Sequence, residues 1–290
     1  MQRTIRKTVP ESFDGKKVID YLIKELNCSH RLITKLKKEE NGILLNGEHI
    51  RTIDLIHKGD IISITMPEDK TESISVATEI PLEVIYEDDD LIVVNKPPML
   101  AVHESHNHLG DTLSNAVAYH LQAEGKSSVF RAVGRLDKGT SGLMVCALNR
   151  YTASKLSGKI YKEYLAVANG IFEGSGRIDM PIFRPDPIIT LRTVDEKGEK
   201  AVTNWTALKN DGKTTLLRIK LETGRTHQIR VHFSHLGAAL VGDTMYGTPD
   251  SRISHQALHC CYCRFIHPVT NETLEFETDP PEDFKAVIPK

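Results

Sequence analysis

The chain of 290 residues lacks any continuous apolar run near the roughly 18 residues that a membrane span needs. Membrane insertion through a helix is therefore not expected. The basic segment Met1–Lys7 lacks the apolar stretch of a signal peptide, so a cytoplasmic location is expected. Cysteine is scarce. The five present are an odd number scattered among apolar neighbours, which fits reduced thiols and not a disulfide framework. Net charge is almost absent, at −2, which argues against a general nucleic-acid glue and leaves local basic patches to do any such binding. Walker-type glycine loops, dinucleotide fingerprints and convincing metal-ligand spacings are missing, as are internal repeats and low-complexity tracts. No cofactor and no metal are expected.

What the chain does hold is two dense segments. In Val133-Gly134-Arg135-Leu136-Asp137-Lys138-Gly139-Thr140-Ser141-Gly142, an acid precedes the apolar run Leu143–Leu148, which reads as a buried strand. A carboxylate on a glycine-flanked loop at the mouth of a core strand is a candidate functional group, which singles out Asp137. About ninety residues later comes Leu221-Glu222-Thr223-Gly224-Arg225-Thr226-His227-Gln228-Ile229-Arg230-Val231-His232. A buried carboxylate needs a cation, and Arg225 is the partner expected for Asp137.

The first seventy residues carry a local excess of base, 13 Lys and Arg against 11 Asp and Glu. Between Ser29 and Lys38 the residues Arg31, Lys35, Lys37 and Lys38 occur with no acid. Ser29 is a good N-cap, and Leu32, Ile33 and Leu36 give the apolar stripe of a short helix. Val18, Leu22, Ile23 and Leu26 form an earlier stripe. The segment Gly42–Gly47 reads as a strand ending in an Asn-Gly turn, and Ile61–Thr65 as another strand. A polar, charged linker is expected from about Pro67 to Thr78. Beyond it, Leu82–Tyr86 and Leu91–Val94 read as a hairpin, with helices from Asp111 or Thr112 to about Leu121 and near Tyr151–Leu156. The fold class expected is α+β: a small α/β module over residues 1–70, a linker over 71–79, and a mixed, largely antiparallel sheet domain over 80–290.

At these residues the chain resembles the pseudouridine synthases that include the ribosomal large-subunit enzymes. Arg135-Leu136-Asp137, then Thr140-Ser141-Gly142, then Gly224–His232 match that family's motifs. Tyr161–Ala166, Val241–Gly247, Ala257–His259, Phe265–Pro268 and Pro281–Phe284 agree as well. The resemblance covers nearly the whole chain, and it implies isomerisation of uridine in structured RNA without a cofactor. Ribosomal RNA is the preferred partner over tRNA, and a monomer is the default. It implies Asp137 as catalytic aspartate, as nucleophile or as base, with Tyr164 in the pocket and Arg225 holding the carboxylate. Arg135 is assigned to RNA or to the space left by the displaced base, and His227 and Arg230 to supporting or RNA contacts. The N-terminal part is similar to the RNA-binding module named after ribosomal small-subunit protein four, with Arg31, Lys35, Lys37 and Lys38 toward phosphate.

Two departures from the family pattern stand out. Gly134 replaces the usual His before Arg-Leu-Asp, and Lys96-Pro97-Pro98-Met99 lacks the usual glycine. Two rival readings are set aside. The cluster His103, His106 and His108 suggests a metal-dependent hydrolase, but no matching carboxylate or cysteine motif accompanies it. Cys260 and Cys263 have Cys-x-x-Cys spacing, yet strand alternation would send them to opposite faces. The alternative within the family scaffold is an RNA-binding or RNA-folding factor without chemistry.

Overall fold

The computed structural model describes residues 3–66, 75–105, 108–126 and 129–290. Within 67–79 the expected linker falls partly outside these residues, as does His106 of the histidine loop.

Near the N-terminus, strand Thr4–Thr8 pairs with Ile61–Thr65, which pairs with Ile43–Leu45, which pairs in turn with Glu48–His49. All these pairings are antiparallel. The helices Val18–Lys24 and His30–Leu36 carry Val18, Leu22, Ile33 and Leu36 into one core with Ile5, Ile43, Ile62 and Ile64. Ser29 caps the second helix by accepting from the Leu32 N–H at 3.2 Å. Asn46 and Gly47 both take positive φ, as a tight hairpin turn requires. Arg31, Lys37 and Lys38 are exposed, and Lys35 is half-buried.

The rest of the chain is built on a mixed sheet of ten strands. Eight lie in the order Ser175–Asp179, Val202–Asn210, Thr214–Leu221, Tyr161–Asn169, Leu258–Ile266, Ser141–Ala147, Leu91–Lys96 and Glu83–Glu87. Neighbours are antiparallel except Ser141–Ala147 and Leu258–Ile266, which run parallel. Ser141–Ala147 is buried at every position, because it lies between two strands and under the helix Leu113–Ala123, whose Leu113, Val117 and Leu121 join the same core. Thr112 caps that helix, with Asn115 closing a capping box. Asn149 caps Arg150–Leu156 by accepting from the Thr152 N–H at 2.9 Å.

The two parts touch. Tyr151, from Arg150–Leu156, sits in the N-terminal core, and Arg3 donates to both carboxylate oxygens of Asp90 at 3.0 and 2.6 Å. Asp90 is almost fully buried and the Arg3 side chain 31% exposed, so this partly shielded ion pair ties the N-terminal sheet to the larger one.

One expectation about the sheet fails. Along Leu258–Ile266 the register slips by one residue between the Glu163–Tyr262 and Tyr164–Cys260 pairs. The extra residue, Cys261, reverses the alternation, and Cys260 and Cys263 end in the same core beside Tyr164. All five cysteines are free and buried.

Candidate active site

The Asp137 loop is shaped by what lies behind it. Thr140 N–H donates to the Asp137 carbonyl at 3.0 Å, closing a turn. Thr140 Oγ1 accepts from Gln256 Nε2 at 3.1 Å. Gly142 has φ +107°, and a Cβ there would fall 2.3 Å from the Cys260 carbonyl oxygen. Only glycine lets the loop enter the strand this close to its parallel neighbour, which accounts for Thr-Ser-Gly after the acid.

The second segment approaches from the other side. His227 takes a left-handed turn at φ 57°, and the helix Gln228–His235 follows it. Gln228 is buried and pins the loop, accepting from the Arg225 N–H and the Thr223 hydroxyl at 3.0 and 2.9 Å. On the next residues of the helix, Arg230 faces inward. Its Nη1 donates to Asp137 Oδ2 at 3.2 Å. Its Nε and Nη2 hold the two oxygens of Asp243 at 2.7 and 2.9 Å. The Tyr246 ring packs under the guanidinium, 5.0 Å from it.

The expected Asp137–Arg225 pair is therefore replaced by Asp137–Arg230. Arg225 is exposed and donates to Glu199 at 2.7 Å and to the Lys200 carbonyl at 3.0 Å. The physical reason is burial. Asp137 keeps 14% of its side-chain exposure and Arg230 only 7%, and a guanidinium that far from water is stable only between carboxylates. Arg225 has solvent to share its charge with. It still borders a small recess of about 70 Å³ that also takes in Asp137 and Tyr164.

Charge states follow from these contacts. Burial alone would lower the Arg230 pKa, but Asp243 and Asp137 outweigh it and hold it above the ordinary arginine value. Tyr164 lies in strand Tyr161–Asn169. Burial pushes its phenol well above the ordinary tyrosine value, with Cys260 and Asp137 adding to the shift; the hydroxyl stays protonated. His227 Nε2 stands 3.9 Å from Asp137 Oδ2, and its Nδ1 bonds the Tyr246 hydroxyl at 2.8 Å. The tyrosine oxygen also accepts from the Arg192 N–H at 2.9 Å. Burial holds His227 below the ordinary histidine value, with Asp137 opposing and Arg230 reinforcing the shift.

Lys96, fully buried at the end of strand Leu91–Lys96, ties the loops together. Its Nζ donates to the carbonyls of Pro97, Leu100 and Lys138 at 2.9, 2.9 and 3.0 Å. Burial pulls its pKa down to about 7, with Asp137 opposing. Three acceptors match the three N–H bonds of an ammonium, so the geometry is that of the charged form.

A cavity of about 570 Å³ opens over Asp137, and Arg135, His227, Arg230, Met99, His103 and Met245 are among the residues that line it. Arg135 is exposed at its edge and donates to the Thr226 hydroxyl at 2.9 Å. A cavity of this size takes a nucleotide. Arg31, Lys35, Lys37 and Lys38 do not line it; they belong to the N-terminal helix.

Asp243, Tyr246 and Lys96 carried no role in the sequence reading. Asp243 and Tyr246 had a visible signal, since both lie in the family-like segment Val241–Gly247. Lys96 had another, a cation ending the run Leu91–Val94.

The sequence profile described as RNA pseudouridylate synthase matches residues 90–235. The uncharacterized RNA pseudouridine synthase YjbO of Bacillus subtilis (strain 168) is 38% identical over 271 residues, covering 91% of this chain and 95% of that protein. The ribosomal large subunit pseudouridine synthase D of Haemophilus influenzae is 35% identical over 307 residues, covering 99% of this chain and 90% of its own. Among solved structures, human RNA pseudouridylate synthase domain containing 1 superposes with a TM-score of 0.58 at 27% identity, covering 73% of this chain and 86% of that one.

Proposed function

Because this chain belongs to the RNA pseudouridylate synthase family, we propose that it isomerises uridine to pseudouridine in large-subunit ribosomal RNA, using Asp137. The reaction breaks the bond from uracil N1 to the ribose, turns the base, joins C5 to the same carbon and releases the C5 proton. It exchanges no electrons with an outside partner. It asks for a carboxylate at the sugar, a slot for a flipped base and exclusion of water.

The observation that carries this reading is the array Asp137–Arg230–Asp243 at the floor of the cavity. Arg230 is anchored by two bonds to Asp243 and spends only its third on Asp137. The carboxylate of Asp137 is thus aimed through Oδ2, with its other oxygen left for substrate. Tyr164, in the small recess it shares with Asp137, would supply a ring for the base to pack on and a hydroxyl that stays protonated. The choice of ribosomal RNA rests on relatives named as large-subunit enzymes.

The test is tritium release from RNA labelled at uridine C5. Unmodified large-subunit ribosomal RNA is expected to release tritium with this protein, and a tRNA pool is not. Binding without release from either pool would favour the RNA-binding factor.

The N-terminal part, proposed as the module similar to that of ribosomal small-subunit protein four, would add phosphate contacts through Arg31, Lys35, Lys37 and Lys38. Replacing all four by glutamine should weaken binding to the long RNA and flatten the plot of log affinity against log salt by about 3 to 4 in slope. An unchanged slope would remove this helix from the RNA-binding surface.

A further inference from the structure

Five described residues other than glycine have positive φ. Three are asparagines, a residue type that tolerates this conformation. The other two, Met99 at φ 63° and His227 at φ 57°, both border the cavity over Asp137. Strained backbone persists where surrounding structure holds it, and it collects at functional sites. For His227 the benefit is visible, since the turn aims its imidazole at Asp137 and Tyr246.

Met99 gains nothing comparable within the protein. It follows Pro98 in the turn Pro97–Leu100, at the position where a turn with positive φ takes glycine. Lys96 fixes that turn from inside, through the Pro97 and Leu100 carbonyls, and links it to the Asp137 loop through Lys138. The backbone is therefore set whatever side chain stands at 99. A glycine would adopt it without steric cost, whereas an L side chain adds strain. The methionine side chain does not recover that cost by burial, because Met99 remains 50% exposed. Met245, on the same cavity, is 43% exposed.

We propose that Met99 and Met245 clamp an RNA base beside the flipped uridine at the mouth of the cavity. The proposal rests on the isomerase reading of the site and adds a determinant of substrate binding to it. A thioether is flexible and polarisable and packs on the face of any aromatic ring. The clamp thus grips an unstacked base without reading its hydrogen-bonding edge, and tolerates any of the four bases at that place.

The experiment uses the full chain, Met99→Gly and Met99→Leu, with large-subunit ribosomal RNA labelled at uridine C5. Met99→Gly is expected to raise KM roughly 3- to 10-fold, to move kcat much less, and to leave Tm equal or higher. Met99→Leu, equally strained and equally bulky, should keep KM within about 2-fold of the parent. A parental KM in Met99→Gly would overturn the clamp, and so would a lower Tm, which would make Met99 a packing residue. A photoreactive diazirine side chain at position 99 gives a readout that needs no turnover. Crosslinks to RNA bases support the clamp, and crosslinks confined to protein overturn it. Absence of tritium release by the parent protein would strike the isomerase reading instead.

Discussion

Asp137→Asn is expected to lower tritium release from C5-labelled uridine by at least ~10⁴-fold, while RNA affinity stays within a few-fold. Asparagine has nearly the same shape but carries neither the charge nor the basic oxygen that the sugar chemistry requires. The fold should tolerate the change. Asp137 takes only one of the three bonds that the Arg230 guanidinium makes to carboxylates, and Asp243 keeps the other two. Loss of a single charge-assisted bond costs about 1.5–3 kcal/mol, so Tm should fall by a few degrees only. Tritium release, filter binding and a thermal melt on the same preparation separate these effects. Turnover near the parental level would move the catalytic role away from Asp137.

Much of this arrangement was legible in the sequence where a local rule and a long-range need coincide. The acid before Leu143–Leu148 sits where the apolar run and the glycines place it, at the entry of strand Ser141–Ala147. Ser29 and Thr112 each begin a helix because a hydroxyl there can satisfy a free N–H of the first turn. Other features depended on geometry that no local pattern encodes. Arg225 and Arg230 are five residues apart in one motif, and composition favours neither as partner of Asp137. The turn at His227 decides, since it starts the helix at Gln228 and points Arg230 inward. Asp243 makes that choice permanent, because it is fully buried and leaves no solvated place for the guanidinium. The slip at Cys261 was invisible for a similar reason. A bulge is a property of two strands, and the alternation of one strand alone gives no sign of it.

Met99 shows the converse case, in which a broken local rule was visible before its meaning. Methionine stands where the family pattern has glycine, at a backbone position whose positive φ a glycine would adopt freely, and the methionine bears the strain. The turn is dictated by the buried Lys96 ammonium and its three carbonyls, so the sequence was free to vary at 99 without moving the loop.

Arg230→Met should be the most damaging single change to stability in the site, because it leaves Asp137 and Asp243 without the cation between them. Asp243 has no exposed side-chain surface and Asp137 has little, so water cannot replace the guanidinium. Breaking a buried ion pair from one side costs about 3–5 kcal/mol, measurable as a lower urea midpoint, and turnover should fall to background with it. Two milder variants separate support from aim. Asp243→Asn can still accept the Met245 and Tyr246 N–H groups that Asp243 Oδ1 accepts, but it turns an amide against Arg230 Nε. A misaimed guanidinium should then cost about 10²-fold in kcat with KM little changed. Arg230→Lys restores a positive charge without the fork, and an ammonium cannot bond both Asp243 oxygens and Asp137 in the same plane. It should recover part of the lost stability and little of the lost kcat. Recovery of both together would reduce Arg230 to a charge that keeps the core intact. Recovery of stability alone would show that the planar fork, held by Asp243, sets the direction of the Asp137 carboxylate.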